Sequence, residues 1–285
     1  MWSVILLPVG LLIYAFRPIP KEVDRIGEAM RRYEKGQYET AVQLLSHAFI
    51  GNNPEAQTRL GELYANGLGV EKNIGMAMQH LTHASDHNSH AAYLIGTLFE
   101  KGDGVPVNLD QAIRWYERSA KMGDKNAANR LGIFFATGKG IEKDPEKARQ
   151  YFAKSVESGL FSANANLAWL LHCASGADKD DPKAFLLTSQ SAAKKCPGAQ
   201  YNLALSYRYG FGTEKDNAKA MKWYRQSALC GQREAAIALI DILENDLHGE
   251  NVNRNEAAYW REEALNLPEN PLPDTLLYPE QNESA

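Results

Sequence analysis

The sequence predicts an all-α fold, an α-solenoid of antiparallel helix pairs wound as a right-handed superhelix. Three observations lead there. A phrase opening on alanine returns at Ala56, Ala91, Ala127, Ala163, Ala199 and Ala235, a period of 35 and then 36 residues, which is the length of a two-helix repeat rather than of a globular domain. Within each phrase the apolar residues follow helical spacing, as in Leu60, Leu63 and Tyr64 or Leu131, Phe134 and Phe135, so the first segment of a unit, helix A, is amphipathic. A second segment, helix B, carries alanine and then an aromatic pair one turn later: Ala112, Trp115 and Tyr116; Ala148, Tyr151 and Phe152; Ala220, Trp223 and Tyr224.

The chain begins with an uncharged run, Trp2 to Phe16, closed by Arg17 and Pro18. At about 1.5 Å per residue it spans only roughly 23 Å, short for a bilayer core, yet it lacks the leading basic residues and small terminal residues of a cleaved signal. Residues 2–16 are therefore expected to be an uncleaved membrane anchor. Arg17, Lys21 and Arg25 follow it, which favours the cytoplasmic side for the soluble part over the periplasmic side.

In the repeats a small residue follows the central Leu or Ile of helix A at Gly61, Gly96, Gly132, Ala168 and Ala204, leaving room for helix B to approach closely. Glycine pairs such as Gly67 and Gly69, Gly102 and Gly104, Gly138 and Gly140, and Gly210 and Gly212 end helix A in left-handed turns. They lack the preceding strand of a phosphate-binding loop. Small residues recur along helix B at Ala84, Ser119, Ser155, Ser191, Ser227 and Ala264, where the next unit is expected to stack.

These residues resemble the Sel-one-like repeat, a longer-looped relative of the tetratricopeptide repeat, from about Ala56 to Ala264. The resemblance implies six such repeats over 56–267, with starts at 56, 91, 127, 163, 199 and 235. It is looser in the fourth unit, around Ala174 and Gly176, and in the last, where Asp246, Leu247 and His248 replace the glycines. Ahead of them Ala29, Gly36, Tyr38, Ala41, Leu45, Ala48 and Pro54 resemble an ordinary tetratricopeptide repeat over 21–55, an N-terminal cap. Prolines 268, 271, 273 and 279 forbid a helix in 268–285, leaving a Pro-rich flexible tail, either free or laid across the last unit.

Chemistry is harder to find. Charged residues make up 23% of the chain and the formal net charge is -4, with basic residues interleaved among acidic ones, so nucleic acid is not an expected partner. Cys173, Cys196 and Cys230 form no CxxC pair and read as three separate, half-buried thiols. His80, His83, His87 and His90 could share a helical face and present a metal site. The repeat register argues otherwise, because His80 falls on the packing position of Trp115 and Tyr151; one core and three surface histidines are expected, with no metal and no cofactor. No hydrolase elbow, zinc-protease or kinase signature occurs, so no enzyme is expected.

The resemblance implies instead that a protein or peptide binds the concave face lined by the A helices. Carried over unit by unit, the groove positions are Thr58 and Glu62, Tyr93 and Thr97, Asn129 and Ile133, Trp169 and His172, and Tyr201, Leu205 and Arg208. Tyr93, Ile133, Trp169, Tyr201 and Leu205 make the middle of this row apolar, either as a binding patch or as packing between neighbouring A helices. Two roles stay open: a membrane-anchored interaction scaffold, and an inhibitor or immunity protein masking a secreted toxin such as a phospholipase. A third, hydrolysis of cell-wall or β-lactam substrates, is implied only by disulfide-rich relatives whose paired cysteines are missing here.

Overall fold

A computed structural model describes residues 21–46, 53–175, 179–245, 253–267 and 275–278. The uncharged segment 2–16 and the four tail prolines lie outside them. Among the described residues the secondary structure is helical, with no strand. The helices are α1 (Lys21–Glu34), α2 (Tyr38–Leu45), α3 (Pro54–Asn66), α4 (Ile74–Ala84), α5 (Ser89–Lys101), α6 (Leu109–Lys121), α7 (Lys125–Thr137), α8 (Pro145–Glu157), α9 (Ser162–Cys173), α10 (Asp181–Ala193), α11 (Pro197–Tyr209), α12 (Asn217–Leu229), α13 (Arg233–Asn245) and α14 (Arg254–Asn266). Each odd-numbered helix packs on the even one that follows, α5 meeting α6 through Gly96 and Tyr116, and the chain forms two compact units, Met1–Arg118 and Ser119–Ala285. None of the described helices is long and apolar enough to cross a membrane.

The helix boundaries follow from short-range chemistry repeated unit by unit. Asn53, Asn73, Asn88, Asp124, Asp144, Asp180, Asp216 and Asn253 each precede a helix and accept a backbone N–H from three residues on, satisfying a donor that the helix itself leaves orphaned. Several of these caps also close the loop behind them. The N–H groups of Asn73, Asn108, Asp144 and Asp216 donate to the carbonyls of Tyr64, Phe99, Phe135 and Tyr207 at 2.8–2.9 Å. Between these points the A helix ends on a left-handed glycine, such as Gly138 with φ 76°, a conformation in which a side chain is costly.

Helix A meets helix B where its side chain is missing. A Cβ built on Gly96 would lie 2.7 Å from Tyr116 Cε1, and one on Gly132 would lie 2.5 Å from Phe152 Cδ1. The second aromatic of each B-helix pair is the one that fills this space, since Tyr116, Phe152 and Tyr224 are fully buried. The first, at Trp115, Tyr151 and Trp223, is half-buried. The serines of the small-residue row do more than leave room: Ser155, Ser191 and Ser227 Oγ donate to the carbonyls of Lys125, Phe161 and Pro197 at 2.7–2.9 Å. Each such bond ties a B helix to the start of the A helix of its own unit.

The first unit centres on Ala29, Leu45, Ala56, Leu60 and Leu63 and on Leu81, Ala84, Ala91, Ile95 and Leu98. In the second unit the core runs from Ile133, Phe135 and Phe152 to Leu203, Leu205, Tyr224, Leu239 and Trp260. Two expectations need correction. The three cysteines are free, but Cys173 and Cys230 are exposed rather than half-buried. Of the tail, expected to be free or laid across the last unit, the described residues 275–278 are held on α9, α10 and α11, with Thr275 and Tyr278 only 3% exposed. The reason is an array of polar and aromatic side chains in α9, α10 and α11 that holds this stretch.

Candidate functional site: the A-helix face of the second unit

The local sequence of α9 and α11 puts an asparagine one residue before the central leucine, at Asn166 before Leu167 and Asn202 before Leu203. Both are fully buried, and a buried amide needs partners for its donor and its acceptor. Asn202 Nδ2 donates to the Leu276 carbonyl at 2.7 Å, and its Oδ1 accepts the Tyr278 N–H at 2.9 Å. One side chain thereby bonds the carbonyl of one residue and the N–H of the residue two further on, as a neighbouring strand does. Asn166 Oδ1 accepts the Leu276 N–H at 2.6 Å, while its Nδ2 donates to Asn129 Oδ1 at 2.7 Å. Asn129 of α7 thus fixes the orientation of the Asn166 amide. Trp169 Nε1 donates to the Leu277 carbonyl at 2.9 Å.

Side chains of the held stretch complete the arrangement. Tyr278 stacks on His172 with ring centroids 4.4 Å apart and lies edge-on to Phe211 at 6.3 Å. Its hydroxyl is 2.9 Å from Thr188 Oγ1. Burial pushes the Tyr278 phenol well above its ordinary pKa, outweighing the opposing effect of the Thr188 bond, so the neutral ring is the form that fits. His172 is itself buried, with Nδ1 2.8 Å from Asp181 Oδ1. Leu276 packs against the cluster containing Ile133, and Leu277 and Tyr278 belong with the one containing Tyr201 and Leu205.

The residues expected from the sequence divide between the two units. In the first, Thr58 is buried with its hydroxyl on the Pro54 carbonyl, and Glu62 pairs with Arg59 at 3.0 Å. Tyr93 stacks on His90 and leans on Tyr116, and Thr97 donates to the Leu94 carbonyl. In the second, Asn129, Trp169 and His172 take part in holding the tail, whereas Arg208 pairs with Asp241 at 2.6 Å. Ile133, Tyr201 and Leu205 are buried; they are not an open patch, because neighbouring helices and the tail leucines close over them. Sequence reasoning missed Asn166 and Asn202. The signal was there, an amide at the same register of two successive, otherwise apolar helices.

His80, His83 and His87 follow the repeat register, whereas His90, expected on the surface, is half-buried against Tyr93. His80 is half-buried and stacks on Tyr64 at 5.6 Å and 9°, as Tyr151 stacks on Phe135 at 5.6 Å and 7°. Its Nδ1 lies 2.6 Å from Gln57 Oε1. His83 and His87 are exposed, and no three His, Cys, Asp or Glu side chains gather to hold a metal ion among the described residues.

Fold and site together define a tandem helical-repeat protein whose A-helix side chains bond the backbone of residues 276–278. The Sel1 repeat model matches residues 54–89, 89–124, 125–160, 162–196 and 197–232, and the chain belongs to the Sel1 repeat family. The crystal structure of a Sel1 repeat protein from Oxalobacter formigenes matches with a TM-score of 0.77 at 30% identity, covering 85% of this chain and 96% of that one. Over 87 residues the chain is 34% identical to DAP3-binding cell death enhancer 1 of Rattus norvegicus, covering 30% of this chain and 17% of the relative. Over 87 residues it is also 32% identical to HRD3A of Arabidopsis thaliana, an ERAD-associated E3 ubiquitin-protein ligase component, covering 30% of this chain and 13% of the relative. The chain therefore spans less than a fifth of the length of either curated relative.

Proposed function

We propose that this protein is a non-catalytic interaction scaffold that binds a partner protein through the A-helix face of its second unit. One observation carries the reading: Asn166, Asn202 and Trp169 already bond the peptide backbone of residues 276–278, using side chains that a helix core does not need. Membership of the Sel1 repeat family supports it, as do relatives whose names describe binding to DAP3 and being a component of a ligase. Attachment to a membrane through Trp2–Phe16, with the repeats on the cytoplasmic side, belongs to the same reading. It is supported by the uncharged run and the basic residues after it.

The test is affinity capture on the full chain, identification of the bound protein, and measurement of its Kd. Trp169→Ala should weaken binding by about 1–2 kcal/mol, roughly five- to thirtyfold, with unchanged helical circular dichroism. An equal loss on Arg118→Ala, in a B helix of the first unit, would place the interface elsewhere.

A further inference from the structure

The chain's own residues 275–278 occupy the face assigned to a partner, and the manner of their binding says what the partner must look like. Four of the bonds that hold them run to backbone atoms: the Leu276 N–H and carbonyl, the Leu277 carbonyl and the Tyr278 N–H. Such bonds take any extended segment, and selectivity comes from side-chain pockets along it. Here the pockets are an apolar seat for Leu276 beside the Ile133 cluster and a closed aromatic seat for Tyr278 between His172 and Thr188. Gly198 makes the approach possible at the start of the segment, since a Cβ there would come within 2.7 Å of Thr275 Cβ.

We propose that Thr275–Tyr278 is an internal ligand, displaced when a partner protein offers an extended segment of the same pattern, an apolar residue followed two positions later by tyrosine. This rests on the reading of the A-helix face as the binding face. The resident segment is short, so the bonds it gains are set against the ordering of only four residues, and it can leave while the helices stay folded. Because it is covalently linked, it competes at high effective concentration and sets a threshold that a weak or mismatched segment does not pass.

The probe is a fluorescein-labelled peptide with the sequence of residues 274–280, titrated into the full chain and followed by anisotropy. Tyr278→Ala in the chain should tighten peptide binding at least tenfold over the unaltered chain. Adding Asn202→Ala should remove that gain, and a peptide lacking the tyrosine should not bind. Equal binding to the unaltered and Tyr278→Ala chains, absence of binding to both, or a peptide-independent dimer that exchanges tails would overturn the proposal. Amide hydrogen exchange on the unaltered chain gives the answer without any variant. The Leu276 and Tyr278 N–H groups should exchange at least tenfold faster than that of Leu203; exchange in step with Leu203 would make the segment a permanent strap. If displacement fails while Trp169→Ala still weakens partner capture, the scaffold reading stands and the internal-ligand proposal falls.

Discussion

Replacing Gly132 by alanine tests the contact on which the second unit's helix pairing depends. The new methyl would stand 2.5 Å from Phe152 Cδ1 and 3.0 Å from its Cζ, about 1 Å inside ordinary carbon–carbon separation for the nearer of the two. Phe152 is fully buried, so overpacking of about 1–3 kcal/mol applies. Alanine returns up to about 1 kcal/mol of helix propensity. The expected net loss is about 1–2 kcal/mol, a melting temperature lower by roughly 3–8 °C. A double-mutant cycle separates the two contributions. Phe152→Ala alone should cost about 3–5 kcal/mol, but in that background Gly132→Ala meets no ring and should stabilise by up to about 1 kcal/mol. The coupling is then about 1–3 kcal/mol, read from urea unfolding followed by circular dichroism at 222 nm. A coupling under about 0.5 kcal/mol, or a Gly132→Ala chain more stable than the parent, would refute the close-approach argument.

Two further outcomes are expected. Burial, and then the nearby His83, hold the His80 pKa below its ordinary value, so the fold favours the neutral ring. That contribution is present above the unfolded pKa of about 6.5 and is lost as pH falls through the lower folded value. An NMR titration should place the His80 midpoint below 6.5, and His80→Tyr should flatten the fall in melting temperature from about pH 7 to 5; a normal midpoint would contradict the packing role. Arg225 holds the Glu256 carboxyl below its usual range through bonds of 2.5 and 2.9 Å. Glu256→Gln should therefore cost about 0.5–1 kcal/mol near neutrality for this partly exposed pair, less as pH falls through the depressed carboxyl value. Equal losses at pH 7 and pH 3 would point to packing instead.

Most of the scaffold was legible because its determinants are short-range. The 36-residue recurrence and the glycines after helix A act within a repeat or a turn, and their chemistry does not depend on distant chain. The pairing of Gly132 with Phe152 was legible for a related reason: a missing side chain on one helix is matched by an aromatic 20 residues later on its partner. The stacking of His80 on Tyr64 follows from register alone, since it occupies the place of Tyr151.

The face that holds Thr275–Tyr278 was legible only in part. Trp169, His172 and Asn129 fall on it, whereas Tyr201 and Leu205 carry the same helical spacing and turn out buried beneath it. Periodicity fixes which side of a helix a residue occupies, not what lies above that side. That was decided by Thr275–Tyr278, a stretch without periodicity whose partners Asn166, Trp169, Thr188 and Asn202 stand 74 to 110 residues upstream. The sequence by itself determined the repeat, its caps and its close helix contacts, because neighbouring residues suffice to satisfy them. Only the tertiary structure decided that two buried asparagines are turned toward a peptide backbone and that the chain supplies that backbone itself. A four-residue segment has too little local preference to choose its own place, and the buried amides of distant helices choose it instead.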